Sequence, residues 1–392
     1  MSEQVYIVAA RRTPIGAFQG VLSPLTSPQL GAAAVKAALA DSGLAPEHID
    51  DTIIGCVLMA GLGQAPGRQA ALAGGVPQKV PATTINKMCG SGLKAVMMAS
   101  DQIRAGSANV MLAGGIESMT NAPYLIPKAR GGLRMGHSEI LDHMFFDGLQ
   151  SPFDGKMMGT FAEATAAKYG FTRQQQDEFA AESVRRALAA VEGGMFDNEI
   201  APVTVKDRKG ERVVAKDETP FTCDIAKIPT LKPAFAKDGT VTAASSSSIS
   251  DGAAALLLVS ASAARQYNLK PLARIVGYSS FAQAPEWFTT APVGAIQSLL
   301  AKTGWAAGDV DLYEINEAFA VVAMAAMHDI GLPHAKVNVN GGACALGHPI
   351  GATGARILTT LVHSLRNRNL KRGVASLCIG GGEATALAVE IV

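Results

Sequence analysis

The sequence predicts an α/β protein with a duplicated core of two similar halves and an inserted segment riding on the first. Three observations predict it. Aliphatic residues and Ala are abundant, aromatics make up 5%, and Gly reaches 41 of 392 residues, a mix that suits buried strands and close helix packing. A unit of strand, glycine-rich turn, helix and strand occurs twice, ending once at Gly114-Gly115 and once at Gly380-Gly381. Between about Met119 and Ile249 that pattern lapses into more Pro, more charge and fewer strand runs.

Taken in order, residues 5–9 form a short apolar run, the first buried strand, ended by Arg11, Arg12, Thr13 and Pro14. An amphipathic helix over 30–44 stops at Ser42-Gly43. A second strand spans 53–59, and 82–85 is a β-prone lead-in to the turn Cys89-Gly90-Ser91-Gly92. From Leu93 the apolar spacing is helical, with Val96, Met97 and Ile103 among its repeats. A strand over 109–112 closes at Ala113-Gly114-Gly115. The inserted segment holds a basic glycine-rich loop (Lys128, Arg130, Gly131, Gly132, Arg134, His137) and a polar helix over 174–192. A charged hairpin follows over 200–214, with Lys209-Gly210 near its turn. Regular patterning returns at Asp251, with strands over 253–259, 273–278, 312–315, 337–339 and 374–377. Helices over 293–303, 318–330 and 351–366 lie among them. The expected division is an N-terminal half over 1–118, completed by 250–270, an inserted loop domain over 119–249, and a C-terminal half over 271–392.

A formal charge of +1 gives no global field to recruit nucleic acid or an anionic membrane. Cys56, Cys89, Cys223, Cys344 and Cys378 form no paired framework, which fits a reducing compartment. Met1 to Gln4 shows no secretory leader, and the longest apolar run, 253–259, is too short to cross a bilayer. The C-terminus is not a peroxisomal address, so a cytoplasmic location is expected. No metal site is expected, because the potential ligands lack paired spacing.

Four stations can carry chemistry. Cys89 lies in a tight turn at the amino end of a helix, where unpaired N–H groups and the helix dipole favour a thiolate; read alone, it is more readily an inert buried cysteine. Asn316, in Asn316-Glu317-Ala318-Phe319-Ala320, can hold a water or a carbonyl oxygen, or simply cap the helix. His348 sits in a glycine-dense turn, Gly347-His348-Pro349-Ile350-Gly351, and can take a proton from a thiol, or merely pack to cap a loop. Cys378-Ile379-Gly380-Gly381-Gly382 ends a strand in three glycines, whose N–H groups could bind an oxyanion or form only a turn. Neither a dinucleotide fingerprint nor a phosphate loop is present.

In order and spacing, these four motifs resemble those of the thiolases, most closely the short-chain biosynthetic type, and the resemblance covers the whole chain. It implies a thiolase-like fold of two mixed-sheet halves with layered helices. It also implies a reversible Claisen condensation of two acetyl-CoA to acetoacetyl-CoA plus CoA, by a ping-pong route through acetyl-Cys89. His348 would activate Cys89, Cys378 would be the acid/base at the α-carbon, and Asn316 would hold a water that binds the second thioester oxygen. The N–H groups of Cys89 and Gly380 would stabilise the tetrahedral intermediate. CoA contacts would fall at Leu149, Met158, Phe235, Ala243, Ser247, Phe288, Ala318 and Phe319. Three departures stand out: Met157 where many relatives have His, Phe221 where an Arg can face the adenine, and a serine run at 245–248. No cofactor is implied, since CoA thioesters are substrates, and a homotetramer with contacts near 124–143 is. A degradative 3-ketoacyl-CoA thiolase with a broader chain-length range is the alternative.

Overall fold

The structure, a computed structural model, describes residues 3–208 and 210–392; Met1, Ser2 and Lys209, the last expected near a hairpin turn, lie outside them. The first part of the chain runs β1 (Val5–Arg12), β2 (Gly16–Ala17), α1 (Ser27–Ser42), β3 (Asp51–Gly55), α2 (Pro66–Ala73), β4 (Ala82–Ile85), α3 (Ser91–Arg104) and β5 (Val110–Ser118). The insertion carries a short ribbon, β6 (Tyr124–Leu125) with β7 (Leu141–Asp142), then α4 (Met158–Tyr169), α5 (Arg173–Glu192) and the hairpin β8 (Val203–Asp207)–β9 (Gly210–Val214). The remainder runs β10 (Ser250–Ser260), α6 (Ala261–Gln266), β11 (Ala273–Ala282), α7 (Ala291–Thr303), β12 (Leu312–Ile315), α8 (Ala320–Ile330), α9 (Ala343–Leu346), α10 (Thr353–Asn367), β13 (Arg372–Ile379) and β14 (Glu383–Ile391).

The sheet registers carry the duplication. In one half, β1 and β5 flank β10 antiparallel, and β3 and β4 continue parallel to β5. In the other, β11 and β13 flank β14 antiparallel, and β12 continues parallel to β13. The two first strands then pair with each other, Val5 opposite Ile275 and Ile7 opposite Ala273, so the halves share one continuous sheet. Helices α3 and α10 form the layer between the halves and meet through reciprocal glycines. A Cβ on Gly92 would lie 2.8 Å from the Ala355 nitrogen, and one on Gly354 would collide with the Leu93 nitrogen. Only glycine permits that approach. The apolar faces of both helices join strand residues from both halves in one cluster, including Leu93, Val96, Leu256, Leu358, Leu361 and Leu377.

Several expected elements shift. β5 continues to Ser118 instead of closing at Leu112, because Gly114 and Gly115 serve the strand: side chains there would strike the Ala254 and Gly351 carbonyls. The second strand is Asp51–Gly55; residues 56–59 leave it, and Val57 and Leu58 pack with Met119, Met144 and Ile350 against Cys89. The strand expected over 337–339 is a single parallel bridge, Val337 to Tyr313, as Asn338 turns into the left-handed region at φ 48°. The helix expected from 318 begins at Ala320, since Ala318 and Phe319 are extended against the serine run. Helices α2, α4, α6 and α9 and strands β2, β6, β7 and β14 had no expectation; β14 follows the three glycines at once, with Gly381 and Gly382 at positive φ making the hairpin turn.

Candidate functional site

The carboxyl ends of β4, β5, β12 and β13 converge with both glycine turns on one side of the α3–α10 layer. Cys89 lies between a residue at φ 46°, Met88, and the start of α3 at Ser91. The turn is held by Gly90 N–H to the Lys87 carbonyl (3.0 Å) and Ser91 N–H to the Met88 carbonyl (2.9 Å). A left-handed non-glycine residue is the kind of local strain that gathers at reactive sites. The thiol of Cys89 opens on a cavity of about 390 Å³ that is mostly apolar and also lined by His348, Gly380, Met119 and Ile350.

Burial pushes the Cys89 thiol up to about 11. The N–H groups of Gly380 and of Cys89 itself face the sulfur and act the other way, while the charge of Glu117 adds to the rise. Two N–H groups converging at one sulfur can also donate to an oxyanion formed beside it.

His348 is buried, and its backbone N–H donates to the Ser248 carbonyl at 3.1 Å. Its Nδ1 lies 2.6 Å from Thr353 Oγ1, and that hydroxyl donates to the Pro349 carbonyl at 2.9 Å. Its Nε2 is buried without a partner. Burial, with Arg356 second, pushes the imidazole down to about 3, so it rests neutral. A neutral imidazole with a free Nε2 is a base.

Asn316 follows β12 and donates its backbone N–H to the Ser376 carbonyl (2.9 Å), two residues before Cys378. Both atoms of its side-chain amide are buried and unpartnered, which is costly unless a water satisfies them, or a substrate oxygen accepts from Nδ2 while another group donates to Oδ1. Cys378 is fully buried and packs with Phe288, Ala318 and Phe319. Burial, followed by the charge of Cys89, holds its thiol well above the ordinary range, so the two sulfurs feel each other. Asn316 and Cys378 thus stand behind the cavity wall, whereas Cys89, His348 and Gly380 form it.

All eight expected CoA contacts line the same cavity. Leu149 and Met158 are among its lining residues. Phe235 meets Phe319 edge-on at 5.8 Å, and Phe288 meets Phe161 likewise at 6.2 Å. Ala243, Ser247 and Ala318 complete the set. The serine run is ordered: Ser247 donates its N–H and its hydroxyl to the Ala318 carbonyl, each at 3.0 Å, and Ser245 accepts from Ala320 N–H at 2.8 Å. It stitches the Asn316 station to the His348 station through Ser248. Met157 also lines the cavity, whereas Phe221 is exposed and off it. Among the described residues, no cluster of His, Cys, Asp or Glu is arranged to hold a metal ion.

Sequence reasoning missed Thr353 and Glu117. Thr353 was visible only as a residue between glycines. Glu117 had a signal: it is the one charged residue in an otherwise apolar or small strand run, 110–118, but ending the strand at 112 hid it.

Known sequences and structures resemble this chain along its whole length. Residues 5–262 match the family described as "Thiolase, N-terminal domain", and 269–391 match "Thiolase, C-terminal domain". The chain is 49% identical to an acetyl-CoA acetyltransferase of Allochromatium vinosum over 392 residues, all of both proteins. It is 50% identical to one of Pseudomonas aeruginosa, with 98% of each covered. The fold superposes on the Bacillus anthracis acetyl-CoA acetyltransferase with a TM-score of 0.97 at 43% identity, covering 100% of this chain and 99% of that one. For human mitochondrial 3-ketoacyl-CoA thiolase the TM-score is 0.96 at 39% identity, with the same coverage.

Proposed function

The chain belongs to the thiolase family, and on that premise we propose that it is an acetyl-CoA C-acetyltransferase joining two acetyl-CoA into acetoacetyl-CoA and CoA. The observation that carries this reading is the meeting of Cys89, the unpartnered Nε2 of His348 and the Gly380 N–H at one apolar cavity.

Cys89 attacks the first thioester as its proton passes to His348 Nε2. The resulting oxyanion accepts from the N–H groups of Cys89 and Gly380. Cys378 protonates the departing CoA sulfur and is left as a thiolate, with His348 protonated beside it. That thiolate removes the α-proton of the second acetyl-CoA. The enolate oxygen is held by His348 Nε2–H and by a water on the Asn316 amide. The carbanion attacks acetyl-Cys89, the carbon–sulfur bond breaks, and Cys89 recovers its proton from His348. No cofactor or metal enters, and every proton is accounted for. Because each thiolate is unfavourable alone in a buried site, it forms only with a compensating charge nearby.

The relatives named as acetyl-CoA acetyltransferases support the short-chain reading over 3-ketoacyl-CoA thiolysis. A homotetramer is supported by exposed apolar side chains at Tyr124, Ile126, Leu133, Met135 and Ile140. No helix among the described residues is long and apolar enough to cross a membrane. The need for two reduced thiols favours a cytoplasmic location. The test is mass spectrometry of the protein with acetyl-CoA: an acetyl adduct on Cys89 is expected, and a stable adduct elsewhere overturns the assignment. A kcat/KM series over chain length that peaks beyond four carbons would favour the degradative reading.

A further inference from the structure

Glu117 stands near the end of β5, fully buried, on the N-terminal side of the site. Its Oε2 accepts from the N–H of Val57 at 3.1 Å and of Gly351 at 2.9 Å. Its Oε1 accepts from the N–H of Leu58 at 3.1 Å, and the Cys56 thiol donates to it at 3.7 Å. One carboxylate thereby binds the loop after β3 to the turn that carries His348, three residues before Gly351. The fit is close, since a Cβ on Gly351 would lie 2.6 Å from Glu117 Oε2.

The duplication gives this placement a meaning. Gly55 of β3 lies opposite Gly115 of β5, and Ile315 of β12 lies opposite Ser376 of β13. Two residues on along β5 and β13 stand Glu117 and Cys378. One residue past the ends of β3 and β12 stand Cys56 and Asn316. Where the C-terminal half presents an acid/base thiol beside an amide, its twin presents a carboxylate beside a thiol.

We propose that Glu117 is a positioning residue for the reaction, fixing the His348 turn to the N-terminal half so that the imidazole and the Cys89 sulfur keep their spacing. The inference rests on the reading given under Proposed function. Burial raises the Glu117 carboxyl to about 7, against the pull of the three N–H donors and the Cys56 thiol. From β5 its charge opposes ionisation of Cys89. The other groups around that sulfur are Cys378 from β13, the Gly380 N–H, and His348, which is itself influenced by Arg356 of α10.

Two variants test it, with initial rates of acetoacetyl-CoA thiolysis and the pH profile of Cys89 alkylation by iodoacetamide, the site identified by mass. Glu117→Gln keeps the shape but turns a donor toward a backbone N–H and removes the charge. Its kcat is expected to fall about tenfold or more, with KM nearly unchanged. Its alkylation profile is expected to move about half a pH unit or more to lower pH. Glu117→Asp keeps the charge but loses reach: kcat falls and the alkylation profile stays. A Glu117→Gln protein with wild-type kcat and an unmoved profile overturns the proposal. So does one that is merely less stable, with the profile unmoved. Should Glu117→Gln fail to fold, wild-type kcat in Glu117→Asp overturns it. A wild-type protein that cannot cleave acetoacetyl-CoA overturns the functional reading instead, and the alkylation profiles still decide whether Glu117 acts on Cys89.

Discussion

His348 Nδ1 lies 2.6 Å from Thr353 Oγ1, and the single proton of that hydroxyl is committed to the Pro349 carbonyl at 2.9 Å. Oγ1 therefore receives from Nδ1–H, and the neutral ring keeps its lone pair on Nε2, the atom left without a partner. The tautomer is chosen before any substrate arrives.

Replacing Thr353 with Val keeps the branched shape and removes the acceptor. The kcat for acetoacetyl-CoA thiolysis is expected to drop by roughly tenfold or more, with little change in KM, because general-base catalysis depends on the protonation state of Nε2. Thr353→Ser should recover most of the rate. Steady-state kinetics of the two variants decide it.

Cys89 in the free protein should titrate high. Burial disfavours the thiolate, so the pKa rises to about 11, and the reactive fraction grows with pH across the neutral and mildly alkaline range. Alkylation rates should keep climbing past the point, about 8.5, where an ordinary cysteine levels off. The His348 imidazole, held down to about 3, should add no acid limb near neutrality. A profile that levels near the ordinary value would contradict the buried setting.

The two thiols should separate by substitution. With acetyl-CoA, Cys89→Ser should show no adduct at position 89, while Cys378→Ser should still acetylate Cys89, more slowly for want of the thiol that protonates the departing CoA, yet form no acetoacetyl-CoA. Intact-protein mass together with chromatography of the CoA products reads both outcomes.

Gly354→Ala puts a methyl group into the backbone of Leu93, which cannot swing aside as a side chain could. A loss of about 1–3 kcal/mol is expected from such overpacking. Gly308→Ala, where nothing lies within 4 Å, should stay within about 0.5 kcal/mol of the parent. Denaturant midpoints measured side by side test the contrast.

The sequence made the chemistry easier to read than the scaffold. Cys89, His348 and Cys378 could be picked out because each sits in or just before a glycine-marked turn, and Asn316 because it stands where a strand run gives way to a helix; such signals are local. β5 could not be bounded, because Gly114 and Gly115 look like a strand's end until the Gly351 carbonyl is seen against them. The strand expected over 337–339 had the right composition, but Asn338 breaks it to exchange hydrogen bonds with the backbone of Ile315. Glu117 and Thr353 stayed hidden because their partners lie across the fold or in a ring tautomer, neither of which leaves a pattern in spacing.

The order of strands also governs how the polypeptide can be made. β10 lies between β1 and β5, yet it leaves the ribosome only after the whole insertion has been translated. Until residue 260 emerges, two apolar ribbons wait with open flanks, exposed to pairing with other nascent chains. A gene fragment stopping inside the insertion would therefore yield a sticky intermediate, and chaperone demand should peak late in translation.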